Sequence, residues 1–240
     1  MIFPCGRLLR RVAVICYNKV MIKVFCVYFD KRPIWRSDCV EPIQAGRLRT
    51  GLVLDDMLGD DTGDTISGEN LRYGEMTAWY WVWKNYLPQH PDLQYIGFSH
   101  YRRFLDFAGL SPAGRKVRMT YRRFRHVFDR HYHAAEMAER MSGYALAMRR
   151  PTQSSDGNPR REFAASHPAN VPDWDAFEAE VRARNPEASE VIEAALSGPL
   201  QAQELQFVMR RAFFEDFMKW SFSLCRESER RAPWSEPHEG

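Results

Sequence analysis

Residues 93–107 read "LQYIGFSHYRRFLDF". A short apolar run climbs to Phe98 and then stops on His100, Tyr101, Arg102 and Arg103, four large polar or amphipathic side chains in succession. The run itself has the profile of a buried strand. Residues 22–29, "IKVFCVYF", have the same profile, broken only by Lys23 and bounded by Asp30, Lys31, Arg32 and Pro33. Strands that are apolar on both faces belong to parallel sheets covered by helices on each side.

Working outward, residues 70–91 place Ala78, Trp79, Val82, Trp83 and Tyr86 at helical spacing, and Pro88 ends the pattern. Glu75 falls near the start of that helix, where the macrodipole favours a carboxylate. Residues 34–70 are rich in Gly, Asp and Thr and read as irregular, with "GDDTGDTISGEN" (59–70) an acidic loop. Residues 115–133 form a basic amphipathic helix, with Val117, Tyr121, Phe124, Phe128 and Tyr132 recurring every three or four positions among Arg, Lys and His. Residues 144–151 read as a third strand and 205–210 as a fourth, with helices over 173–186, 188–198 and 212–231. This alternation predicts an α/β fold over residues 21–231: a single domain with a mainly parallel sheet flanked by helices and a basic helical insertion near 111–135. Residues 1–20 read as a leader ahead of Met21 or as an extra edge strand, and 232–240 as a frayed tail.

Composition narrows the class. A chain of 240 residues that is 45% hydrophobic can bury one substantial core. A net charge of +3 does not by itself point to nucleic acid. Five cysteines without a CxxC pair predict a reduced, cytoplasmic protein. No apolar run approaches the roughly 20 residues of a membrane span.

In parallel sheets, ligands sit beyond the carboxyl ends of the strands. His100 to Arg103 therefore fall on the functional rim. Two adjacent guanidinium groups there suit an anionic ligand, because Arg stays charged and grips phosphate oxygens bidentately. The alternative is that Arg102 and Arg103 pair with Asp106 or with the acidic loop. Asp60, Asp61 and Asp64 either hold a divalent cation through oxygen ligands or are solvated turn residues. His131, His133 and Asp129 alternate as zinc ligands can, but on a basic helix they read as surface. P-loop, GxGxxG, GxSxG and HExxH motifs are absent.

The blocks "DDTGDTIS", "GEMTAWYWVWKN" and "YIGFSHYRRF" resemble the domain-of-unknown-function-4422 family of capsular and exopolysaccharide glycosyltransferases. "EPIQAGR" (41–47), "YALAMRRP" and the C-terminal half are also similar, giving coverage of about residues 22–231. The resemblance implies a GT-A-like (Rossmann-like) fold that moves a sugar from a nucleotide-sugar donor to a polysaccharide acceptor, often lipid-linked. It implies catalytic roles among Asp61, Asp64, Glu75 and His100, and substrate contacts at Gln44, Asn70, Tyr101, Arg102 and Arg103. One carboxylate would take the acceptor proton, the arginines would hold the diphosphate, and Tyr101, Trp79 and Trp81 offer stacking faces. No metal site is assigned; a divalent cation, Mg²⁺ or Mn²⁺, is the alternative to arginine for the leaving group. Thr65, Gly74 and Leu205 depart from the family's Asn, Cys and Asn, and the family's closing helix is not found after Arg231. A second reading is accordingly an impaired family member that only binds or scaffolds. A third takes residues 115–133 as a module for RNA or for anionic lipid at the inner membrane face, with lipid the better match to a lipid-linked acceptor.

Overall fold

The computed structural model describes residues 21–110, 117–154, 157–201 and 206–231; the leader, the tail, Leu205 and part of the insertion lie outside them. Eight strands appear among the described residues: β1 (Ile22–Tyr28), β2 (Val40–Gln44), β3 (Leu58–Gly59), β4 (Tyr95–His100), β5 (Leu146–Met148), β6 (Thr152–Gln153), β7 (Leu200–Gln201) and β8 (Phe207–Arg210). Six of them form one sheet in the order β3-β2-β1-β4-β8-β5, while β6 and β7 pair separately. β3, β2, β1 and β4 run parallel, and β8 is antiparallel to both β4 and β5. The expected α/β fold with a mainly parallel sheet is what the chain forms.

Alternation along β1 and β4 builds two cores. Phe25, Val27, Ile96 and Phe98 face one layer, with Ala78, Trp79, Phe214, Met218 and Phe222 from the Met76–Trp81 and Arg211–Arg231 helices. Val24, Cys26, Tyr28 and Tyr95 face the other, with Trp35, Phe128, Met137 and Met141 from the segment after β1 and the Tyr121–His131 and Ala134–Met141 helices. Burial on both faces explains why these strands read as unbroken apolar runs. Cys26, Cys39 and Cys225 are buried and free.

Two expectations need correction. Residues 34–70 are not simply irregular, since they contain β2, the short helix Arg47–Thr50 and β3. "VEPIQ" was obscured by its proline and glutamate; β3 covers only Ile43 and Gln44, so Pro42 stands at an edge, where a sheet tolerates proline. The basic helix begins at Tyr121 rather than near 115, because the Thr120 side chain caps it by accepting from the Arg123 N–H.

The acidic loop is a structural clasp. Asp60 is fully buried, and its carboxylate accepts from Gly46 N (2.8 Å), Arg47 N (3.1 Å) and Ser67 Oγ (2.5 Å), tying the ends of β2 and β3 together. After Trp81 the helix widens into a π turn, Val82–Tyr86, and Asn85 in that turn holds both backbone ends of Asp64. Asp60→Ala would leave three buried donors without a partner. We expect a loss of about 3 kcal/mol in urea unfolding, with Asp60→Asn recovering part of it.

Candidate functional site

Chain order places the site. From β1 the chain moves outward to β2 and β3, then crosses back to add β4 on the other flank of β1. The carboxyl ends of β1 and β4 therefore border the crevice where strand order reverses, the usual ligand position in an open parallel sheet.

Register decides what meets there. Val27 pairs with His100, and the Tyr101 N–H donates to the Val27 carbonyl (3.3 Å). On one side of the sheet the His100 ring lies 6.2 Å from that of Phe29. On the other, the Tyr101 ring stacks on Tyr28 at 5.6 Å, and at the end of the strand it also reaches to 4.1 Å from the His100 ring. Trp35 secures this second side: its backbone N–H donates to Tyr28 Oη (2.8 Å) and its indole N–H to the Tyr101 carbonyl (3.0 Å). A tight turn follows, in which Arg103 N donates to His100 O (2.8 Å).

Glu75 enters from the helix that covers the His100 side. It stands at the N-cap position of Met76–Trp81 yet makes no side-chain capping bond. Its carboxylate instead faces His100, with Oε1 4.0 Å from Nε2. Gly74 makes this approach practical: its φ of 52° is a conformation that side-chain-bearing residues rarely adopt. The Asn70 amide donates to Gly74 O (2.7 Å) and Thr77 Oγ1 (3.0 Å), and so holds the turn. Burial pushes the Glu75 carboxyl up to about 7, against the opposing pull of Arg103. The Arg102 N–H donates to His100 Nδ1 (3.3 Å), which makes Nδ1 the acceptor and assigns the neutral ring's proton to Nε2, the nitrogen facing Glu75.

The cationic side of the rim includes residues that sequence reasoning used only as a strand boundary. Arg32 and Arg102 place their guanidinium carbons 5.6 and 5.1 Å from the Tyr101 ring centre. Arg32 binds Asp30 through Nε (3.0 Å) and Nη2 (2.7 Å), which lowers the Asp30 carboxyl; the Arg102 and His100 charges act in the same direction. Arg102 is exposed and makes no ion pair among the described residues. Charged residues directly after the first strand were the available signal for Asp30 and Arg32.

The remaining sequence candidates lie apart from this cluster, engaged within the fold. Gln44 is fully buried: its amide donates to Leu52 O (2.7 Å) and accepts from Leu54 N (2.8 Å) and Arg47 Nε (3.0 Å). Asn70 is spent on the turn before Glu75. Asp61 pairs with Arg47 (3.4 Å) and Asp64 accepts from the Tyr80 hydroxyl (2.9 Å). Within the acidic loop, the cation that Asp61 meets is Arg47. These partners leave Asp60, Asp61 and Asp64 poorly suited to a divalent cation, and among the described residues no three His, Cys, Asp or Glu side chains converge on a metal position. Trp79 is core, packed on Phe98 and Phe207. The Trp81 indole N–H donates to Thr62 O (2.9 Å). A hollow of about 310 Å³ lies elsewhere, beside Phe163 and Trp174.

The sequence matches the family model described as "Domain of unknown function (DUF4422)" over residues 23–239. The chain belongs to this family. The match runs past Arg231, farther than the sequence patterns alone had suggested. No curated protein matches the chain. Among solved structures, the apo form of WbbM, a bifunctional glycosyltransferase, superposes with a TM-score of 0.75 at 23% identity. The superposition covers 91% of this chain but 39% of that one, so this chain spans well under half of WbbM's length and the likeness is one of fold. Thr65 Oγ1 donates to the Asp60 carbonyl, and Gly74 supplies the turn before Glu75.

The raised Glu75 carboxyl has a consequence for stability. Its folded pKa lies above the unfolded value, so the folded state holds a proton that the unfolded state has released between about pH 4.5 and 7. This group's contribution therefore falls as pH rises through that window and is level above it. Glu75→Gln should be more stable than wild type at pH 8 by roughly 2–3 kcal/mol and nearly equal at pH 4.5. Urea unfolding at both pH values checks this.

Proposed function

We propose that this DUF4422 chain is a glycosyltransferase that moves a sugar from a nucleotide-sugar donor to a hydroxyl of a cell-surface polysaccharide acceptor, free or lipid-linked. The observation that supports the reading is the half-buried Glu75 carboxylate facing His100 at the reversal of strand order, with the exposed Arg102 in the turn directly after that histidine. Transfer to a hydroxyl needs both: a base for the acceptor proton and cationic donors for the departing diphosphate.

In this scheme the acceptor hydroxyl lies against Glu75, whose carboxyl, held near neutrality, is ionised in a useful fraction of molecules at pH 7 and takes the proton as the new glycosidic bond forms. The donor's sugar–phosphate bond breaks, and its electron pair leaves with the diphosphate. Arg102, with Arg103 and Arg32 on the same rim, stabilises that charge without a bound cation. His100 orients Glu75 through Nε2–H. Asn70 keeps the Glu75 turn in place, while Gln44, Asp61 and Asp64 act through the fold around Arg47 and Tyr80. The protein would act in the cytoplasm; among the described residues no helix is long and apolar enough to cross a membrane.

Arg102→Ala should weaken nucleotide-sugar binding by roughly 1.5–3 kcal/mol, and Arg102→Lys should restore only part, since an ammonium cannot reproduce the guanidinium fork. Calorimetry with a panel of nucleotide sugars measures this. Glu75→Gln should bind donor like wild type but lose transfer by about 100-fold or more, the scale of a general base. Wild-type binding in Arg102→Ala, or undiminished turnover in Glu75→Gln, would overturn the assignment. No donor binding by the native chain would favour a scaffold role.

A further inference from the structure

The Tyr121–His131 helix holds four arginines and one aspartate, a net charge equal to that of the whole chain, +3. Its aromatic face is not free. Phe124 and Phe128 pack on Trp35 at 4.9 and 5.0 Å, and Tyr132 donates its hydroxyl to Leu105 O (2.6 Å). The amphipathic stripe is thus consumed inside the protein, which rules out a helix that rolls its apolar side into a bilayer. What remains outside is a second stripe. On the helix, Arg122, His126 and Arg130 are exposed at intervals of four, about 6 Å apart, and Arg118 is exposed in the segment just before it; none makes an ion pair among the described residues. Arg125 is the exception, lying over Trp35 (4.2 Å) and donating to Ile34 O (2.9 Å).

We propose that this stripe docks the protein on an anionic lipid surface. The exposed Arg122 and Arg130, with Arg118 just ahead of the helix, match a plane of phosphate headgroups by charge, worth about 1 kcal/mol for each residue near the surface. The neighbouring apolar atoms favour lipid over nucleic acid. Val117 and Tyr121, 46% and 49% exposed, stand beside Arg118 and Arg122, the pairing of aliphatic, tyrosine and arginine groups that settles at a headgroup layer. Nucleic-acid binding without sequence preference uses exposed aromatic platforms, and here Phe124, Phe128 and Tyr132 are turned inward. The docked face also adjoins the cleft: Trp35 lies under this helix and bonds the Tyr101 backbone, so an acceptor carried in the membrane would meet the Arg102 rim from the side on which the protein rests. The inference rests on charge and exposure and does not require the transfer reaction.

The test is co-sedimentation of the full chain with vesicles of phosphatidylcholine, with or without about one third phosphatidylglycerol. We expect binding only to the anionic vesicles, lost in high salt, and reduced roughly thirtyfold in the double variant Arg122→Glu/Arg130→Glu. A control with the same net charge reversed elsewhere, Arg161→Glu/Lys219→Glu, should bind nearly as wild type. Unchanged circular dichroism and unchanged donor affinity in both variants would show that fold and cleft are intact. Absence of binding, equal binding to neutral vesicles, equal losses in the two double variants, or tighter binding to a single-stranded oligonucleotide would each overturn the proposal. Failed docking with intact donor binding would leave the transferase reading standing.

Discussion

The parallel pairing of Val27 with His100 is the contact on which the site depends. Side chains alternate faces along a strand, so this register sends His100 to the layer that holds Phe29 and Glu75, and Tyr101 to the layer that holds Tyr28 and Trp35. A slip of one residue would take each ring off these partners, which at the strand end also bring the two rings within 4.1 Å of each other. The register is held by burial, because β1 and β4 both carry apolar side chains on both faces and any shift would mismatch two cores together.

What was legible in the sequence was whatever burial on two faces writes plainly. "IKVFCVYF" and "YIGFS" stood out as strands because every position but Lys23 and the terminal Phe29 is buried in the sheet. The helix after Asn70 stood out because Trp79 and Val82 recur toward one core. β2 did not, since "VEPIQ" spends its polar residues inside: Gln44 is buried because Leu52, Leu54 and Arg47 satisfy its amide, partners that only the folded chain brings near. The basic helix misled in the opposite way. Its apolar stripe was real, but periodicity cannot say whether such a stripe meets a membrane or the protein's own Trp35.

The rim illustrates how a cluster of charge divides into members that the fold engages and members that it leaves available. Arg47 and Asp60 look as available in sequence as Arg102 and Glu75. In the fold, Arg47 is held by Gln44, Asp61 and three backbone carbonyls, and Asp60 by two amides and a hydroxyl. Groups so fully engaged would have to break several bonds to meet a substrate, and each bond contributes about 1 kcal/mol or more when charged. Arg102 and Glu75 have no such commitments among the described residues.

The contrast among four rim carboxylates carries this further. Asp60, Asp61 and Asp64 each accept from a donor at hydrogen-bond or ion-pair distance, whereas Glu75 has only His100 at 4.0 Å and the more diffuse influence of Arg103. A carboxylate that is well supplied with donors is stabilised as the anion and is a poor base. One that is desolvated without them keeps a high affinity for its proton, and so can both take a proton from a hydroxyl and release it afterwards near neutral pH. The turn of Asn70, Gly74 and Thr77 maintains that desolvated position by carrying the Glu75 backbone to the helix start while leaving its side chain out of the capping role a first-turn acid would ordinarily adopt. The same short segment thus stabilises the helix through its backbone and withholds from Glu75 the donors that would have made it inert.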